Sequence, residues 1–393
     1  MNRPRVALLA GLFLAALALR PQLVGIGPLI PAIQSDLDIS HAVAGFLGTI
    51  PVFCMGLFAP PAPYLSRRLG SRTAIAGCLG LIAAFGIARA LVPNAVGVIL
   101  LTFPVGVGIG FAQALMPVAV KEHFAHRPAF ATGIYATGIS SGSAISTAIA
   151  VPVAHAAGGW RGSLTAFSAF TGLLFVVWVV LTRREPRHAR SAVRPVRLPW
   201  GSALAWRLAA MFGLMGIVYY GVHAWLPDSY VERGWSESTA GSLLAVLNVA
   251  ALPPAVLVPW FADRIGSRRF YLVAGGLFMF GAMLGVVLLP GGGFVWAALL
   301  GISTGILFPL VLTLPLDLAE RPAQVGAIAG MMLGAGYMIS AISPFALGAV
   351  RDATTSFTTA LWLLVGAAGV FLALVLPISQ AHIHRHRTRF AES

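Results

Sequence analysis

Apolar runs of about twenty residues or more, separated by short charged or Pro/Gly-rich segments, repeat along the whole chain. A run of that length crosses the hydrocarbon of a bilayer as a helix. The pattern predicts twelve spans. Six fall in the first half, at Val6–Ile33, Ala42–Leu65, Thr73–Leu91, Ala95–Val120, Ala129–His155 and Trp160–Leu181. Six fall in the second, at Ala205–Leu226, Ser238–Ala262, Phe270–Leu289, Phe294–Leu318, Val325–Ala349 and Thr358–Pro377. The longest polar stretch, Arg183 to Pro199, lies between the sets and carries six arginines and three prolines. The expected fold is an all-α integral membrane protein of two pseudo-symmetric six-helix bundles. They span residues 1–182 and 205–380, with a cytoplasmic linker at 183–204 and a basic cytoplasmic tail at 381–393.

A repeat supports the division into halves. Pro63-Tyr-Leu-Ser-Arg-Arg-Leu-Gly-Ser-Arg72 and Pro259-Trp-Phe-Ala-Asp-Arg-Ile-Gly-Ser-Arg268 share five of ten positions, and Gly70 and Gly266 lie 196 positions apart in a chain of 393. Each copy is a short basic turn between two apolar runs, which is how one structural unit used twice in a membrane reads. Glycines repeat at nearly the same interval, Gly106-x-Gly108-x-Gly110 in the fourth span and Gly301-x-x-x-Gly305 in the tenth. Small residues at such spacings let membrane helices approach closely.

Composition agrees with a membrane protein: 58% of residues are hydrophobic and 10% charged. The formal charge of +14 would suggest nucleic acid in a soluble chain. Placing the N-terminus in the cytoplasm and alternating sides puts 21 of the 26 Lys and Arg in cytoplasmic segments, four in external ones and Arg20 within a span. The basic excess is then a topology signal with both termini cytoplasmic in the plasma (inner) membrane, and no nucleic-acid partner is expected. Cys54 and Cys78 fall inside spans without metal-type spacing and read as packing residues. His382, His384 and His386 read as part of a basic tail beside anionic lipid rather than a metal site.

These features together resemble the major facilitator superfamily: twelve helices in two homologous halves, a central linker and a basic turn after the second helix of each half. Within it the chain is most similar to the cyanate and 2-nitroimidazole transporters. The residues that carry this are Leu19-Arg-Pro-Gln-Leu-Val-Gly-Ile-Gly-Pro-Leu-Ile-Pro31, Pro51-Val-Phe-Cys-Met-Gly56, and Gly106 to Pro117 with Gln113, followed by Lys121. In the second half they are Ala224-Trp-Leu-Pro227 and Gly241-Ser-Leu-Leu-Ala245. There are departures. Arg67 stands where the superfamily pattern has Asp, whereas Asp263 keeps it. The fifth helix has Gly138-x-x-x-Gly142 without the proline of the drug-antiporter motif. The resemblance implies a major facilitator fold and gating roles for Arg68, Gly70, Arg72, Asp263, Arg264, Gly266 and Arg268. Asp263 is expected at the start of the fifth helix when the cytoplasmic side is closed.

Arg20 is the sharpest candidate for chemistry, since it lies near the middle of a span, where a lone charge is unfavourable unless it faces a polar cavity or a partner. Pro21, Gly25, Gly27, Pro28 and Pro31 predict a kinked or unwound second half of that span. A guanidinium supplies planar donors suited to an anion. Gly106, Gly110, Gln113 and Pro117 share one helical face, and Gln113 is expected beside Arg20. Tyr219 and His223, one turn apart, are expected to give an aromatic wall and a titratable imidazole, with Asn248, Phe308 and Tyr337 as further substrate-binding candidates.

No carboxylate lies deep in a predicted span, so proton coupling would use His223, Asp317 or a substrate that carries the proton. The resemblance inclines the reading toward proton-linked uptake. The expected function is secondary active or facilitative transport of a small polar or anionic solute by alternating access. The partners are that solute, possible protons and membrane lipid, and the protein is expected to act as a monomer without cofactor or metal. The alternative is efflux of amphipathic drugs by the same fold, and cavity character separates the two. An enzyme is not expected, since the chain has no His-Glu-x-x-His, and its lysine, Lys121, follows no phosphate-binding loop.

Overall fold

The computed structural model describes residues 3–124, 128–183, 198–265, 268–318 and 322–376. Every regular element among the described residues is helical. The chain begins with α1 (Arg3–Ala18), runs through turns, makes a 3-10 turn at Gly27–Leu29 and resumes as α2 (Ile30–Leu37). There follow α3 (His41–Phe58), α4 (Ala62–Leu69), α5 (Ser71–Leu91), α6 (Ala95–His123), α7 (Pro128–Ala156) and α8 (Trp160–Thr182). The second half holds α9 (Ala203–Val231), α10 (Glu237–Ile265), α11 (Arg268–Leu288), α12 (Gly293–Leu318), α13 (Pro322–Thr354) and α14 (Phe357–Val375).

Among the described residues, eleven helices, α3 and α5 to α14, are long and apolar enough to cross a membrane. The first expected span, Val6–Ile33, is not one continuous helix, because α1 stops at Ala18. Pro21 lacks an N–H and disfavours helical geometry at Arg20, so the ladder ends where Leu19-Arg20-Pro21 begins. The second half of the span is unwound, as its prolines and glycines predict. The second expected span likewise bends at Ala59–Pro61 into α3 and α4.

Helices α1, α3 and α5 to α8 pack on one another, and so do α9 to α14. The internal repeat is visible in what the glycines touch. A Cβ on Gly110 would lie 2.5 Å from the Cys54 carbonyl oxygen, and one on Gly106 would lie 3.0 Å from Pro51 Cα, so α6 seats directly on α3. Gly301 and Gly305 seat α12 on α10 in the same way, against the carbonyls of Leu247 and Ala251. Gly70, between α4 and α5, has φ +79° with open space around it, so conformation and not packing requires glycine in that turn.

The two sets meet along α3 with α13 and along α7 with α10. At one end, Asp352 of α13 accepts the backbone N–H groups of His41 and Ala42 at 3.0 and 2.8 Å. A carboxylate from one half thereby satisfies the positive end of a helix in the other. His41 Nδ1 is 2.8 Å from the same carboxylate, and its Nε2 is 3.5 Å from Asp228 Oδ2 on α9. Arg351 and Glu232 pair beside them at 3.3 Å. Deeper in, Thr49 Oγ1 accepts from the Phe345 N–H at 3.1 Å, and a Cβ on Gly45 would lie 2.5 Å from the Pro344 carbonyl oxygen. The His41 end is therefore closed.

Gly45→Val should hold that end apart, because backbone, not a movable side chain, occupies the space its side chain needs. Spin labels on Ser35→Cys and Ala353→Cys, with Cys54 and Cys78 replaced by serine, should show a longer interspin distance by pulsed electron resonance when Gly45→Val is added. An unchanged distance distribution would contradict this account of closure.

Candidate functional site

Arg20 owes its position to the break after α1. Freed carbonyls in an unwound membrane segment need new donors. Arg89 Nη2 donates to the Gln22 carbonyl at 3.3 Å, and Thr171 Oγ1, which donates to the Phe167 carbonyl at 3.0 Å, lies 3.4 Å from the Ala18 carbonyl. Arg89 also donates to Gln22 Oε1 and, at 3.2 Å, to Thr102 Oγ1, while Gln22 Nε2 donates to Ser168 Oγ at 2.8 Å. Arg89 is wholly buried. Together these bonds anchor the unwound segment to α5, α6 and α8.

Arg20 is 4% exposed and borders a cavity of about 90 Å³ between the two sets of helices. The cavity extends from Arg20 toward the end that carries the basic turns, lined by Ser140 and Ser143 of α7, Phe212, Met215, Tyr219 and Tyr220 of α9, and Asn248, Ala251 and Ala255 of α10. Thr304, Phe308 and Pro309 of α12 and Tyr337 of α13 complete the wall. Among these lining residues Arg20 carries the single formal charge. Its Nη2 donates to Gln113 Oε1 at 3.4 Å, and its buried Nε has no hydrogen-bond partner. Arg89 Nε is equally without a partner, so what sets Arg20 apart is that it borders the cavity and Arg89 does not.

Five of the seven expected substrate-site residues therefore border one cavity: Arg20, Tyr219, Asn248, Phe308 and Tyr337. Gln113 reaches Arg20 but is not part of the wall, because the face it was expected to share with Gly106 and Gly110 turns those glycines onto α3. His223 is not part of the wall either. Its ring stacks on Tyr219 with centroids 4.0 Å apart, and its Nδ1 lies 2.8 Å from the Tyr219 carbonyl oxygen. A carbonyl only accepts, so Nδ1 carries the proton and Nε2 accepts from Asn248 Nδ2 at 3.1 Å. Asn248 Nδ2 also reaches the Leu244 carbonyl at 2.8 Å and Thr147 Oγ1 at 3.4 Å. His223 thus braces Tyr219 and Asn248 from behind.

Ser140, Ser143, Phe212, Tyr220 and Thr304 border the cavity without having been singled out from sequence. Their signal would have been the inward face of each helix, which single runs of apolar residues do not reveal. Of the expected gating residues, the side chains of Asp263 and Arg264, together with Gly266, lie outside the described residues, as do the Asp317 side chain, the 381–393 tail and most of the linker. Arg268 opens α11. In the first turn Arg68 lies over the Tyr64 ring, 4.8 Å from its centroid, and the Arg72 carbonyl accepts from Trp178 Nε1 at 3.0 Å. Where the turn lacks its aspartate, Glu122 at the end of α6 accepts from Ser66 at 3.1 Å.

Residues 8–341 match the profile of the Major Facilitator Superfamily. The 2-nitroimidazole transporter of Escherichia coli K12 is 30% identical over 362 residues, covering 92% of each chain. The cyanate transport protein of the same organism is 31% identical over 348 residues, covering 88% of this chain and 90% of its own. Among solved structures, a bacterial homologue of the human lysosomal transporter Spinster, inward-facing and occupied, superposes with a TM-score of 0.75. It shares 16% identity and covers 99% of this chain and 98% of its own, a likeness of fold. The chain belongs to the Major Facilitator Superfamily, a family of membrane transporters and not of enzymes, with cyanate and 2-nitroimidazole transporters among its relatives.

Proposed function

We propose that this protein moves a compact polar or anionic solute, in the size range of cyanate or a nitroimidazole, across the plasma membrane by alternating access. The observation that carries the reading is Arg20 itself, the single formal charge among the residues that line the central cavity. In a bilayer an arginine near the middle of a span is unfavourable by about 2.5–3.5 kcal/mol even on insertion scales. An arriving anion returns part of that penalty.

The positive-inside pattern supports placing the basic turns and both termini in the cytoplasm. On that placement the His41 end faces outward and is shut, and the cavity lies on the cytoplasmic side. Two six-helix units, residues 1–182 and 205–380, would rock about the Arg20 level with the 183–204 linker between them. The basic turns, including Asp263, Arg264 and Arg268, would take over as the contact that closes the inner end.

The charge of Arg20 on the wall argues against efflux of neutral amphipathic drugs. One water needs roughly 10–15 Å³ by the same measure, so about 90 Å³ accommodates a solute of several heavy atoms. The wall is more apolar than expected for a purely polar solute, which bears on the kind of anion below. With no carboxylate among the described cavity residues and His223 satisfied as a neutral ring, a proton that travels does so on the solute.

Uptake into proteoliposomes of a panel of small anions, nitroimidazoles and weak acids, with and without a proton gradient, tests the reading. Arg20→Ala should lower transport of the accepted solute about 10- to 100-fold, the range of a hydrogen bond to a charged group. Arg20→Lys should retain part of the rate if charge suffices, and lose it if the planar donor pair is needed. Unchanged transport in both variants would contradict the assignment.

A further inference from the structure

The walls of the cavity narrow the solute class further than charge alone, on the reading that Arg20 receives an anion. Four rings stand around the space beyond Arg20 in two edge-to-face pairs. Tyr219 and Tyr220 have centroids 5.1 Å apart at 88°, and Phe212 and Tyr337 have centroids 4.9 Å apart at 84°. Phe308 adds a fifth, 6.3 Å from Phe212 and tilted 44° to it. All five border the cavity. Perpendicular pairs present a ring face beside a ring edge, the arrangement in which a further aromatic ring finds favourable partners on both sides.

The hydrogen-bonding groups are sparse and directional. Ser143 Oγ donates to the Ile139 carbonyl at 3.1 Å and Thr304 Oγ1 to the Leu300 carbonyl at 2.9 Å, so both hydroxyls spend their protons on their own helices. Asn248 spends its amide N–H groups on His223, Leu244 and Thr147, and its Oδ1 has no hydrogen bond among the described residues. The cavity therefore offers a cationic donor beyond the end of α1, an aromatic middle in which Tyr219, Tyr220 and Tyr337 also carry hydroxyls, and a neutral acceptor on α10. A bare inorganic anion would leave the ring faces unused.

We infer that the cavity takes a single-ring aromatic monoanion, its carboxylate on Arg20 and its ring among Phe212, Phe308 and Tyr337. A hydroxyl or N–H on the ring adds a donor for Asn248 Oδ1. A flat ring fits between the ring pairs that border the cavity.

Arg20-dependent uptake of labelled benzoate into proteoliposomes tests this, with unlabelled benzoate, 4-hydroxybenzoate, cyclohexanecarboxylate and cyanate as competitors. Benzoate should compete at least ten-fold better than cyclohexanecarboxylate, which has the same charge and nearly the same volume without the π face, and better than cyanate. Phe308→Leu should shrink the benzoate advantage while leaving the rank of cyanate unchanged. Equal competition by benzoate and cyclohexanecarboxylate, or preference for cyanate, overturns the aromatic assignment and leaves the anion reading standing. If no uptake by any anion depends on Arg20, both fall together.

Discussion

A guanidinium does not surrender its proton in a protein, so an arginine placed midway through an apolar span must be supplied with acceptors or face a cavity that admits them. That constraint organises the centre of this molecule. Gln113 reaches one nitrogen of Arg20 at the long distance of 3.4 Å, and the residue borders the central cavity. The helix break that presents Arg20 leaves carbonyls open, and the buried Arg89 with Gln22 closes that deficit from behind. One arginine is thereby enclosed within a half and the other borders the cavity.

The second requirement is that two halves touch closely at one end and part at the other. Glycine does this on both scales. Within each half, Gly106 and Gly110, or Gly301 and Gly305, bring helices to backbone distance and make rigid units. Between halves, Gly45 and Gly348 bring α3 against α13 at the His41 end, where Asp352 caps α3 from the other half. A cap made across an interface forms and breaks with the interface itself, which suits a contact that must open in each cycle. On the proposed rocking of the halves, the rigid pairs within each would carry that motion to the Arg20 level.

Much of this was legible in the chain. Apolar length gave the spans, the repeated turn divided them into halves, and Pro21 with its neighbouring glycines marked the unwound segment, because each is a local property. Arg20 was legible because it interrupts an apolar run near its middle. Arg89 was not, since it lies near the end of its run, where a long side chain ordinarily reaches water. His41 and Asp352 stand 311 positions apart, and nothing local to either announces the other. The share of each helix face that Tyr220, Ser143 or Thr304 presents to the cavity is decided by packing between distant segments. The expectation that His223 faces solute failed for the same reason: its spacing from Tyr219 was right, but both ring nitrogens are engaged by Tyr219 and Asn248.

The central claim is that Arg20 holds the anion. Selenocyanate, a compact anion with an anomalous scatterer, locates itself in crystals without reference to any assumed pose. Anomalous maps from crystals grown with it should place selenium in the central cavity with the anion's other end within hydrogen-bond distance of the Arg20 guanidinium, and Arg20→Ala crystals should lose that peak. Selenium bound elsewhere only, or retained in the cavity of Arg20→Ala, would contradict the account.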